Sequence, residues 1–141
     1  MNTSAKATDL VSVQGLIEPV AGASTYTTGW FYAGSSNSWL AILTSGEAGT
    51  SVDAKIEQAS DSSGTGAKDL TGAAITQLTG AGSAQIEFRA NDLDNANDFT
   101  HVRISSTTVG AGAIIAGVLL ATCPTNAPLA AGSKIDETVS V

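Results

Sequence analysis

The chain contains one histidine, His101, and one cysteine, Cys123. A nucleophile relay needs a base and an orienting carboxylate in fixed geometry. His101 stands between Thr100 and Val102 in an alternating stretch, and no spacing around it marks such partners. It is expected to be a structural or surface residue. Cys123 precedes Pro124 and has no cationic neighbour to activate its thiol, so it is expected to be a small buried hydrophobe. A single cysteine excludes an intrachain disulfide and a thiolate metal cluster. The loop containing Asp92, Asp94 and Asp98, with Asn91, Asn95 and Asn97, is rich in oxygen ligands. Calcium takes six to eight oxygens, but the mid-loop glycine and terminal glutamate of an EF-hand loop are missing. These residues read first as turn formers. Gly64-Thr65-Gly66-Ala67-Lys68 lacks the residue order of a phosphate-binding loop. The aromatics Trp30, Phe31, Tyr32 and Trp39 could stack on a sugar ring. With two Trp, two Tyr and three Phe in all, several are needed for the core or an interface. Trp30 and Tyr32 are the expected interface anchors, because large aromatics dominate interface energetics. No catalytic residue, cofactor or metal site is expected.

The elements that position these residues are strands. Val52–Ala59, Ala74–Leu78, Ala84–Arg89 and Phe99–Ile104 each alternate apolar and polar residues, the period of a half-buried strand. Gly- and Ser-rich joints separate them, which predicts an antiparallel meander with one dry and one wet face. Asp53, Lys55, Glu57, Gln85, Glu87 and Arg89 fall on the wet face. Trp39–Ser45 is apolar on both faces and reads as a central strand. Ala113–Thr122 is the last long strand, and Tyr26–Tyr32 is a strand with a bulge at Gly29. Asp69 could cap a short helix, but Ile75 and Thr76 favour a strand from about Ala73. The fold class is therefore all-β: an antiparallel sandwich, jelly-roll-like, with seven or eight strands over residues 25–122. Residues 1–24 read as an N-terminal arm, with or without one edge strand, and 123–141 as a C-terminal arm.

The chain has 141 residues, enough for one domain with its own core. The formal charge is −7, from six Lys+Arg against thirteen Asp+Glu. That balance repels phosphate backbones and provides no basic stripe for nucleic acid. The longest apolar run, 113–121, is too short for a membrane span, and no secretory leader is expected at the N-terminus. Charged residues are 13% of the chain, about half the usual share. Such a surface suits extensive contact with other protein.

Several segments together resemble a recurring small protein of tailed-bacteriophage and prophage structural modules. They are Thr28–Phe31, Leu40–Leu43, Val52–Asp61, Gly64–Leu70, Ala74–Thr79, the pair Leu93-Asp94, and Phe99–Arg103. The likeness spans about residues 26–125. It implies a virion structural protein of the head decoration (cement) type. Such a protein would be made in the host cytoplasm, would assemble as a homo-oligomer, usually a trimer, and would bind the major capsid protein. The resemblance implies no enzyme activity. A carbohydrate- or receptor-binding sandwich of a phage fibre is the second reading.

Overall fold

The computed structural model describes residues 7–47 and 49–125. A four-residue helix, α1 (Ala7–Leu10), leads into nine strands: β1 (Val11–Ala21), β2 (Thr25–Thr27), β3 (Phe31–Tyr32), β4 (Ser36–Glu47), β5 (Ser51–Ala59), β6 (Lys68–Ala74), β7 (Gly82–Arg89), β8 (His101–Val109) and β9 (Ile114–Pro124). All named strands pair antiparallel. One sheet has the order β1-β9-β4-β7. The other has the order β2-β8-β5-β6, and β3 continues the edge beside β8. The two sheets face each other across a single core, so the fold is the antiparallel sandwich that the alternation predicts.

Four expectations need correction. The stretch 52–103 is not one meander. β5, β6 and β8 lie in the five-stranded sheet, whereas β7 crosses to the other sheet and pairs with β4. Alternation fixes which side chains are wet and dry but not which strand lies alongside. Lys68–Ala74 is the strand, ending where the sequence places its start. Leu78 rejoins Val52 only through an isolated bridge. Tyr26–Tyr32 divides into two short strands. Thr28, buried between them, accepts the Ile104 amide on its hydroxyl at 3.0 Å, replacing a ladder bond. Finally, the edge strand left open within the N-terminal arm is present as Val11–Ala21, paired with β9, so the sandwich begins before residue 25. Pro19 lies in a register break between Ile17 and Val20, where a missing N–H costs no ladder bond. Of the C-terminal arm, Cys123 and Pro124 close β9, and residues 126–141 lie outside the described residues.

The core shows why the long sheet has this order. Its inward rows alternate large and small residues across strands. Gly15, Leu119, Ala41 and Ile86 form one row; Ile17, Gly117, Leu43 and Ala84 form the next. A large residue on one strand fits over a small one on its neighbour, as close packing demands. At the end of the sheet Trp39 lies stacked on Phe88, ring centroids 6.3 Å apart, and donates its indole N–H to the Ala33 carbonyl at 3.0 Å. The opposing sheet supplies Val52, Ile56, Val102 and Ile104, all fully or almost fully buried.

Candidate interaction surfaces

The two outer faces differ in chemistry. On the five-stranded sheet, β5 and β8 carry an ion-pair ladder. Arg103 contacts Glu57 at 2.7 Å, Lys55 bridges Glu57 at 3.5 Å, and Lys55 reaches Asp69 of β6 at 2.6 Å. The Asp69 carboxylate beside Lys55 raises the lysine above its ordinary pKa. Trp30 lies on the same side, its ring 4.4 Å from the Arg103 guanidinium carbon. Its indole also fills the space over Gly64, where a Cβ would stand 2.6 Å from the ring nitrogen. Gly64 has φ +85°, so both backbone and packing require glycine there. Trp30, expected as an interface anchor, is thus engaged on both sides within the chain. Sequence alternation places Lys55 and Glu57 on this face. Arg103, Asp69 and the Trp30 slot depend on strand pairing and escape a one-dimensional reading. Gln85, Glu87 and Arg89 belong to the other sheet, beside Ile42, Leu40 and Ser38.

Tyr32, the second expected anchor, is 56% exposed. Its ring lies 5.7 Å from that of His101 and lies against Gly34. The Thr100 hydroxyl donates to the Ser60 carbonyl at 2.9 Å and stands 3.0 Å from His101 Nδ1, which leaves Nδ1 as the donor of that second bond. Tyr32 and His101 together form a small half-open aromatic rim, with no carboxylate aligned on the imidazole among the described contacts. Cys123 is exposed and adopts φ +61°, contrary to the expected buried thiol. The left-handed turn at Cys123 breaks the in-out alternation of β9 just before Pro124.

The acidic loop is occupied by its own hydrogen bonds. Asp92 accepts the Arg89 amide, and Asp94 accepts from Lys68 and from Asn97. Among the described residues no group of three His, Cys, Asp or Glu side chains could hold a metal ion. Lys68 also lies over the Phe99 ring at 4.1 Å. The hydrogen bond from Lys68, followed by that from Asn97, holds the Asp94 carboxyl below the usual carboxylate range. A depressed carboxyl contributes stability that is present above its unfolded pKa of about 3.9 and lost as pH falls through the folded value. Asp94 is therefore expected to titrate below its ordinary value by NMR, and Lys68→Met is expected to return it upward. An unchanged Asp94 titration in that variant would contradict the assignment. Asp61 is held low in the same direction, chiefly by Thr65, whose amide it accepts together with that of Ser63. This capping folds the 60–67 loop into a slot for Trp30, not a phosphate cradle.

The outer face of the four-stranded sheet is the opposite case. Val13, Leu120 and Leu40 form one cross-strand row, and Leu16, Val118 and Ile42 form the next. All six are half-buried, shielded by neighbours in the sheet. The outward positions Ser38, Leu40, Ile42 and Thr44 of β4 and Ala116, Val118, Leu120 and Thr122 of β9 carry no charge, and Glu47 stands exposed at the end of β4 beyond its register break, opposite Ile114. A groove of about 220 Å³ runs along the face between Leu16, Ile42 and Val118. Glu18 lines the groove, and β7 places Glu87 and Arg89 at the margin of the face, beside Leu40 and Ser38. The apolar second face of Trp39–Ser45 predicts a central strand. β4 is central, but nothing described covers that second face.

No family model matches the chain, and no curated protein matches it in sequence. Among solved structures it is similar to the SPBc2 prophage-derived protein YomS, at 11% identity and TM-score 0.43, covering 78% of this chain and 92% of that one. It is also similar to a chain of the Cowpea Mosaic Virus empty virus-like particle, at 11% identity and TM-score 0.42, covering 96% and 95%. A third likeness is to the CBM22-1-GH10 modules of Clostridium thermocellum endo-1,4-beta-D-xylanase 10B, at 10% identity and TM-score 0.43. That likeness covers 87% of this chain and 28% of the xylanase chain.

Proposed function

We propose that this chain is a virion structural protein of the head decoration type, which binds the outer shell as a homo-oligomer, a trimer in the form the resemblance implies, and stabilises it. The major capsid protein is its partner in this reading, and the chain performs no catalysis. One observation carries the assembly role: the sandwich presents on one side a sheet face whose central rows on β1, β9 and β4 are apolar, with Glu18, Glu47, Glu87 and Arg89 at its margins, and on the other side a self-satisfied ion-pair ladder. Monomers rarely leave a contiguous apolar patch of several hundred Å² without a partner. The likeness of residues 26–125 to phage structural modules supplies the virion context. The carbohydrate-binding reading has less to stand on. Trp39 is fully buried and half-buried Trp30 packs between Arg103 and Gly64, which leaves Tyr32 as the one largely exposed ring of the four.

Purified protein mixed with undecorated shells is expected to co-sediment with them, saturating at a fixed number of copies per capsid subunit. A reconstruction of the virion is expected to locate the chain on the outer head surface. Failure to sediment, or density for the chain at the tail tip alone, would overturn the decoration reading.

A further inference from the structure

We propose that copies of this chain pack against one another through the outer face of the β1-β9-β4-β7 sheet. The proposal rests on the reading above for the purpose of the oligomer but not for the contact itself. Three features point to a second copy as the occupant.

The first is the character of the sheet edges. A neighbour could add a strand only to a long, regular edge. β1 is interrupted by two register breaks and carries Pro19. β2 and β3 are three and two residues long. β6 is broken in register against β5 and bends at Gly72, φ +80°. β7 carries Glu87 and Arg89 on its outward side and faces β6 across the end of the sandwich. These are the devices that blunt edges against strand addition, and they leave the face as the surface for association.

The second is area. Four strands at ~4.8 Å spacing and about nine residues at ~3.3 Å give a footprint of roughly 550–600 Å². Two copies face to face would remove about 1,100 Å² from water, which clears the ~1,000 Å² that separates specific interfaces from incidental contacts.

The third is charge. The chain carries −7 overall, so two copies repel at long range. Close approach meets least repulsion at the central rows of β1, β9 and β4, which carry no carboxylate, Glu18 and Glu47 lying towards the strand ends. At the margin of the face β7 offers both Glu87 and Arg89, so a neighbouring copy can meet either sign with its opposite.

The test uses the full chain. Light scattering on the wild type is expected to give a multiple of the 14.1 kDa monomer mass. The double variant Leu40→Glu/Ile42→Glu is expected to be monomeric with an unchanged near-ultraviolet spectrum from Trp39. Because two buried charges could disturb folding, Leu40→Thr/Ile42→Thr provides the milder arm, with the dissociation constant expected to rise at least ~10-fold. Thr107→Glu, on the exposed face of the other sheet, is expected to leave the mass unchanged. A monomeric wild type, or a folded face variant that keeps the native mass, overturns the proposal. A face variant that keeps its mass but no longer sediments with shells also overturns it, by assigning the face to the shell, and leaves the decoration reading standing. An oligomer that dissociates on face substitution while the wild type ignores shells supports the copy contact and removes the decoration reading.

Discussion

Replacing Trp39 with alanine is expected to destabilise the protein by about 3–5 kcal/mol, the range for emptying a fully buried large aromatic site. A domain of this size holds only about 5–15 kcal/mol in total. The melting temperature should therefore fall by roughly 10–20 °C, and part of the protein should be unfolded near 37 °C. Three losses combine. The indole is wholly removed from water. It stacks on Phe88 at an interplanar angle of 9°, so Phe88 loses its main neighbour on that side. Its N–H is bonded to the Ala33 carbonyl, which anchors the turn Ala33–Ser35 under the sandwich. Trp39→Phe separates these effects. It keeps the ring stack and removes the hydrogen bond, and the Ala33 carbonyl still accepts the Ser36 amide. That variant should cost about 1–2 kcal/mol. Denaturant unfolding of the two variants checks the ranking. Equal losses would mean that the aromatic stack carries little of the stability.

Leu119→Ala is the second large effect, expected towards the upper end of the roughly 2–5 kcal/mol range for buried leucines. The reason is its position in the cross-strand row. Its neighbours on β1 and β4 are Gly15 and Ala41, which have no side-chain rotamer that could swing into the vacated volume. Cavities that cannot collapse are the costly ones. Gly15 is also covered by the Phe31 ring, since a Cβ there would stand 2.7 Å from it, so the backbone cannot shift inward without displacing that ring. Leu120→Ala, one residue along and facing outward between Val13 and Leu40, is the control. At low concentration its cost should stay under about 1.5 kcal/mol, since a half-exposed leucine leaves no enclosed void. A similar cost for both variants in chemical denaturation would contradict the row argument.

The ion-pair ladder contributes specificity more than stability. Lys55 and Asp69 are substantially exposed, and pairs of that kind are worth at most ~1 kcal/mol. Its value lies in register: Lys55 reaches Asp69, and Glu57 reaches Arg103, only when β5 lies between β6 and β8 in the observed alignment. A one-residue slip would turn Ile56 outward and Glu57 inward, which the core forbids.

The alternation of Val52–Ala59 and Ala84–Arg89 and the doubly apolar Trp39–Ser45 were sufficient to specify an all-β sandwich with a central β4. These are local properties: side-chain period and propensity act over a few residues, and the sequence displays them directly. Strand partnership was decided in three dimensions. β7 pairs with β4 because Trp39 needs Phe88, and Leu43 needs Ala84, beside it. Pro19 and Gly22 left open whether the N-terminal arm holds an edge strand, and their disruptive effect vanishes at a bulge and a strand end of β1. Trp30 packs half-buried against the 60–67 loop because Gly64, thirty-four positions away, leaves room for its ring. The apolar face emerges only when Leu16, Val118 and Ile42 come from three distant segments to lie side by side. Periodicity can show that each of these residues points away from the core. Only the pairing of β1, β9 and β4 makes them one surface, because contiguity belongs to the sheet and not to any single strand.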